Sequence, residues 1–307
     1  MKTVGLIAAP PTAFQSDGEI DLAAVGPLAA HLQRQGVAGV FVNGTTGEGP
    51  SLSSEEREAL AAEWRRAWPR ELRLFVHVGH NSLPEARRLA RHAQAVGADA
   101  IAALAPGFFR PAGVEALAAW CAEVAAAAPA CPFYYYHMPA MTGVQVNVAA
   151  FLEHAAERIP TLAGVKFTYE AMADFLLCQR LRNGRFDVLW GRDEMLLGAL
   201  ATGATGAVGS TYNVIAPLFL RLLAAFRAGD HEQARSLQAA AVGFIDRLVA
   251  SGNFFAALKM ALVLQGVPIS PAVRAPLLPL ADGVAEPLRT ALQADLDRIM
   301  GSTWCRS

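Results

Sequence analysis

A chain of 307 residues, 53% hydrophobic and 17% charged, carries enough apolar material for a large core, which excludes a disordered chain. With a formal net charge of -1 and no Lys/Arg stripe interleaved with aromatics, it is not expected to bind nucleic acid or an anionic membrane, and the expected partner is a small molecule. No window reaches the roughly 18 uninterrupted apolar residues of a membrane span, and Met1–Ala13 lacks the charged region and apolar segment of a secretory signal. The expectation is a soluble cytoplasmic protein. Four widely spaced cysteines, Cys121, Cys131, Cys178 and Cys305, suit reduced thiols and imply neither zinc nor a disulfide framework.

Along the chain, apolar β-rich runs alternate with helix-like stretches at intervals of about 20 to 35 residues, the pattern of βα units around a parallel sheet. Strands are expected at Val4–Ala9, Gly39–Val42, Leu74–Val78, Ala100–Leu104, Phe133–Tyr136, Ala163–Phe167, Val188–Trp190 and Gly206–Val208. Helices are expected to begin near Asp21, Ser54, Leu83, Gly113, Val148, Met172, Glu194 and Val214. Ser53 and Glu56 have the spacing of a capping box, and Pro84 falls in a first turn. Eight pairs close an α/β fold of the (β/α)8 TIM-barrel class, which usually takes about 250 residues. Residues 1–229 are assigned to a catalytic barrel. Residues 230–307 are assigned to a C-terminal helical extension packed on it, broken at Gly252 and by the Pro268–Pro279 loop.

Function in such barrels collects in the loops after each strand. After the second strand, Asn43-Gly44-Thr45-Thr46-Gly47-Glu48-Gly49 is a glycine-rich turn whose amides and Thr45 and Thr46 hydroxyls form an anion nest; lacking a P-loop lysine, it favours a carboxylate. After the fifth, Tyr136 shares a face with Tyr134 and could bring its hydroxyl to the barrel mouth, while Tyr134 and Tyr135 read as core aromatics. In the sixth, Lys166 interrupts an apolar run in a chain with only three lysines among its 26 basic residues. Desolvation favours the neutral, nucleophilic amine, which can condense with a ketone; the competing reading is a lysine snorkelling to solvent. His77 and His80 tempt a metal reading, but no neighbouring acid or cysteine supplies a third ligand. Gly203–Gly209 lacks the spacing of a dinucleotide loop.

Taken together, Gly44–Glu48, Tyr136–Gly143, Gly164–Phe167 and Gly206–Asn213 resemble the N-acetylneuraminate lyase and dihydrodipicolinate synthase family, in order and over nearly the whole chain. The resemblance implies a Schiff-base aldolase on a (β/α)8 barrel, with Lys166 and Tyr136 catalytic, no metal or organic cofactor, and a homotetramer. Where the synthases hold a second carboxylate with arginine, this chain has Met141, which weakens that branch. Gly191-Arg192-Asp193-Glu194 is similar to the Gly-x-Asp-Glu of the lyase branch, and Ser210 matches a further hydroxyl contact. The implied substrates are sialic acid and pyruvate, bound by Thr45, Thr46, Thr168, Gly191, Asp193, Glu194 and Ser210. Alternatives are another pyruvate-dependent aldolase or dehydratase of 2-keto-3-deoxy sugar acids, a condensing enzyme like the synthases, a metal-dependent aldolase using His77 and His80, and a non-catalytic keto-acid-binding barrel. One departure is Phe108, where many members of the family offer a neighbouring subunit's active site a tyrosine.

Overall fold

The computed structural model describes residues 2–301. Its elements run in chain order as β1 (Gly5–Ala8), α1 (Val25–Gln35), β2 (Gly39–Val42), α2 (Ser54–Ala67), β3 (Arg73–His77), α3 (Leu83–Val96), β4 (Ala100–Leu104), α4 (Val114–Ala126), β5 (Phe133–His137) and α5 (Pro139–Thr142). There follow α6 (Val148–Ala155), β6 (Leu162–Phe167), α7 (Met172–Gly184), β7 (Asp187–Trp190), α8 (Leu196–Ala201), β8 (Gly206–Gly209), α9 (Tyr212–Arg227), α10 (His231–Ala250), α11 (Phe254–Leu264) and α12 (Asp282–Met300). The strands pair in sequence order, all parallel, and β8 returns to β1 to close the barrel. Helices on the outside cover the strands, so each strand is buried on both faces, as its apolar sequence requires.

All eight expected strands are present, with ends within one residue of expectation. The start of α2 carries both bonds of the capping box between Ser53 and Glu56. Asp21 caps a single 3-10 turn (Leu22–Ala24) instead of the main helix, which begins at Val25. The short α5 has no counterpart in the sequence reading: Pro139 opens it, and the Met138 carbonyl accepts from the amides of Met141 and Thr142. No single described helix is long and apolar enough to cross a membrane. Cys121, Cys131 and Cys178 are buried free thiols; Cys305 lies outside the described residues.

Alternation divides the core in two. Ile7, Phe41, Phe75, Tyr134, Leu189 and Val208 point inward and fill the barrel. Tyr135, Val165, Phe167 and Trp190 point outward into the layer between strands and helices. At the amino-terminal end of the barrel, Asp187 accepts from the Thr3 amide, the Thr3 hydroxyl and the Tyr134 hydroxyl, so Tyr134 is spent on a buried polar contact far from any open mouth. What remains polar and reachable lies at the carboxyl ends of the strands, with α10 and α11 forming one wall above them.

Candidate active site

Val165 and Phe167 face the helices, so strand alternation sends Lys166 between them into the barrel, where β5 presents Tyr136 beside it in register. The Lys166 Nζ sits 4.0 Å from the Tyr136 ring centroid and 4.3 Å from that of Phe41. The residue is only 5% exposed, so it does not snorkel into open solvent. Among the described residues no carboxylate lies within ion-pair distance of this amine. The contrast with Lys259 is direct: that ammonium is fully buried and paired with Glu48 at 2.7 Å. Burial pulls Lys259 below its ordinary pKa, and the Glu48 carboxylate opposes the pull.

Lys166 opens into a cavity of about 400 Å³, within the size range of small-molecule sites. All nine residues expected at the site line it. The Thr45 hydroxyl lies 3.3 Å from the Tyr136 hydroxyl, which also donates to the Met138 sulfur at 3.1 Å. The Thr46 hydroxyl bonds Ser210 Oγ at 2.6 Å, tying the loop after β2 to the loop after β8. Glu48 N–H returns to the Thr45 carbonyl and Gly49 N–H to the Gly44 carbonyl, while the amides of Thr45 and Thr46 donate to no acceptor among the described residues. Two free amides beside two hydroxyls are an anion-binding concavity. Its shape is held from behind by Glu48, which adopts φ +53° and accepts from Lys259 Nζ on one oxygen and the Arg274 amide on the other.

The loop after β7 supplies the opposite wall. Gly191 has to be glycine, because a Cβ there would lie 1.9 Å from Thr168 Oγ1. The Thr168 hydroxyl so enclosed is buried with no protein partner and lines the cavity, free to bond a ligand. Asp193 accepts from the Thr211 amide at 2.8 Å and the Thr211 hydroxyl at 2.6 Å through Oδ2, so that oxygen is committed to the protein. Burial pushes the Asp193 carboxyl up to about 6, against the downward pull of the Thr211 bonds. Glu194 is half-buried and paired with Arg192.

The two histidines after β3 are both engaged by the protein. His77 Nε2 accepts from the Leu104 amide, leaving Nδ1 to donate to the Asn43 carbonyl at 3.1 Å. Its pKa is held well below the ordinary value by burial, with Arg57 and Lys166 adding to the effect, so it is a neutral wedge behind Tyr136. His80 accepts from the Ser82 amide. No cluster of three metal-capable side chains exists among the described residues. The sequence reading missed Arg192, Thr211, Phe254 and Phe255, all of which line the cavity. For the phenylalanines no local signal exists, since they arrive from α11, some 90 residues beyond Lys166.

A closed (β/α)8 barrel with an unpaired lysine at the mouth, an anion nest on one side and acids on the other defines a class of enzymes that work on small carbonyl acids. The chain belongs to the Dihydrodipicolinate synthetase family, whose sequence pattern matches residues 2–295. It is 42% identical over 289 residues to the N-acetylneuraminate lyase of Mus musculus, covering 93% of this chain and 89% of that protein. To the N-acetylneuraminate lyase of Homo sapiens it is 43% identical over 283 residues, 91% of this chain and 87% of that one. Among solved structures, Proteus mirabilis N-acetylneuraminate lyase superposes with a TM-score of 0.92 at 38% identity, covering 97% of this chain and 99% of that one.

Proposed function

We propose that this protein is a Schiff-base aldolase that cleaves N-acetylneuraminate reversibly to pyruvate and N-acetylmannosamine. The observation that carries the reading is the Lys166 amine, buried between two aromatic rings without an ion-pair partner and facing a cavity with a carboxylate nest. The substrate carboxylate bonds the free amides and hydroxyls of Thr45 and Thr46, which turns the C2 ketone toward Nζ and makes condensation local. Nζ adds to C2, water leaves, and the protonated imine becomes an electron sink. The Tyr136 hydroxyl takes the proton from the C4 hydroxyl as it passes its own through Thr45 Oγ1 to the substrate carboxylate; the C3–C4 bond breaks, its electrons passing to the imine as an enamine, and the C4 aldehyde departs. Protonation at C3 and hydrolysis release pyruvate and restore the amine. The Thr168 hydroxyl, unpartnered in the protein, orients the C4 hydroxyl. Asp193, Glu194 and Ser210 accept from the polyol tail, with Gly191 giving it room.

Met141 lines the cavity without offering a cation for a second substrate carboxylate, which favours a sugar acid over the dicarboxylic product of the synthases. The assembly proposed is a homotetramer; what supports association is Phe108 and Phe109, an exposed aromatic pair 78% and 85% accessible on the loop after β4. Sedimentation velocity of Phe108→Asp/Phe109→Asp, expected to give smaller species, tests that arrangement. For the chemistry, borohydride added with pyruvate is expected to modify the peptide containing Lys166, leave Lys259 untouched and abolish cleavage of N-acetylneuraminate. Unchanged activity after this treatment would refute the imine, and faster cleavage of 2-keto-3-deoxygluconate than of N-acetylneuraminate would refute the substrate.

A further inference from the structure

The family resemblance gives roles to the acids of Gly191-Arg192-Asp193-Glu194 and leaves position 192 unassigned. Arg192 lines the cavity. Its Nε and Nη2 both reach Glu194 Oε1, at 3.0 and 2.8 Å, and its Nη1 pairs with Glu170, four residues beyond Lys166. The Arg192 carbonyl accepts from Trp190 Nε1 at 2.5 Å, which anchors the backbone from which the side chain springs. The guanidinium therefore bridges the loop after β6 and the loop after β7 across the rim of the site. Its partners are half-exposed, and ion pairs of that kind contribute little to stability, about 0 to 1 kcal/mol. A stabilising role does not explain a cation placed at the rim of the cavity.

The geometry does suggest another role. Both Arg192 contacts to Glu194 fall on Oε1, and Oε2 accepts from no donor among the described residues. A glutamate side chain has several freely rotating bonds, and the fixed planar fork of an arginine removes that freedom at one oxygen while leaving the other as an ionised acceptor. We infer that Arg192 is a positioning residue for sugar-tail specificity: anchored by Glu170, it holds Glu194 with Oε2 turned to the hydroxyls of a polyol-bearing keto acid. Lysine at this position carries the charge but cannot hold two carboxylates in one plane. The inference rests on the reading of Glu194 as a contact to the tail of N-acetylneuraminate.

The experiment compares Arg192→Ala and Arg192→Lys with the parent protein on N-acetylneuraminate, on 2-keto-3-deoxygluconate, and in borohydride trapping with pyruvate. Arg192→Ala is expected to raise KM for the nine-carbon acid roughly tenfold, with the loss falling mainly on KM, about the worth of one charge-assisted bond. The change on the six-carbon acid should be under about threefold, and the pyruvate concentration that half-saturates trapping should not move. Arg192→Lys should recover part of the loss, and the melting temperature should stay within about 2 °C, as expected for an exposed pair. An unchanged KM for N-acetylneuraminate in Arg192→Ala, or a parallel rise in pyruvate half-saturation, overturns the inference while leaving the proposed activity standing. A parent protein that traps pyruvate at Lys166 yet fails to cleave N-acetylneuraminate overturns both.

Discussion

Lys259→Met removes one half of an ion pair from which water is excluded: the side chains of Lys259 and Glu48 are 0% and 1% exposed, and Nζ to Oε1 is 2.7 Å. Breaking such a pair from one side costs about 3 to 5 kcal/mol, because the remaining charge is stranded in a medium that does not solvate it. The Ala272 carbonyl, which accepts from the same Nζ at 2.6 Å, loses its donor too. Replacing both members, Lys259→Met with Glu48→Leu, leaves no stranded charge. The Arg274 amide then has no acceptor in place of Glu48 Oε2, a cost of about 1 to 3 kcal/mol. The double variant should therefore be more stable than Lys259→Met by roughly 2 kcal/mol, although it carries the larger change in sequence. Equilibrium urea unfolding followed by tryptophan fluorescence, run as a double-mutant cycle, measures the coupling. Losses that simply add, with the double variant less stable than either single one, would refute the claim that the two charges need each other more than the fold needs them.

Tyr136→Phe keeps the ring beside Lys166 and deletes the hydroxyl, so kcat for cleavage should fall by roughly 10² to 10⁴, with trapping of pyruvate continuing; a near-normal kcat would place the proton transfer elsewhere. Gly191→Ala drives a methyl onto Thr168 Oγ1, and should lower both melting temperature and activity on every keto acid; adding Thr168→Ala should recover part of the stability and none of the activity. The Asp193 carboxyl, raised from 3.8 to about 6, binds its proton more tightly in the folded chain than in the unfolded one. Its effect on stability therefore worsens as pH climbs from about 4 to about 6 and is flat above that. The ionised form, which accepts from Thr211, dominates only above pH 6, so kcat/KM should have an acid limb near that value. In Asp193→Asn both the limb and the slope of urea midpoints against pH should disappear, and a limb that stays in place would assign it to another group.

The barrel was legible because a strand buried on both faces has to be a short apolar run, and eight such runs at βα spacing leave few other ways to close a sheet. Ser53 and Glu56 announced the start of α2 because a capping box is local chemistry. Asp193 shows where local reading stops: the run Gly191-Arg192-Asp193-Glu194 marks it as a contact to substrate, and nothing local reports that its carboxylate serves Thr211, 18 residues on. Phe254 and Phe255 reach the cavity only because Asn253 caps α11 at that point in space, and no periodicity reports a contact between remote segments. One missed feature did leave a trace. The scarcity of lysine that singles out Lys166 applies equally to Lys259, and a lysine in the apolar helix Phe254–Leu264 needs a buried acid, which Glu48 in the Thr45–Thr46 loop supplies.

That link between residues 48 and 259 also sets an order of events during synthesis. A ribosome delivers β8 with Gly209, and barrel closure becomes sterically allowed, while Lys259 and the Arg274 amide are still unmade. At about 5 to 20 residues per second, the 65 residues from 209 to 274 take roughly 3 to 13 s. Through that interval Glu48 has neither buried partner, the Thr45–Thr46 turn it braces is unsupported, and the wall bearing Phe254 and Phe255 is absent or unanchored. A nascent chain thus holds Lys166 for seconds before it holds the complete cavity around it, and the wall that encloses that cavity is among the last parts of the molecule to be made.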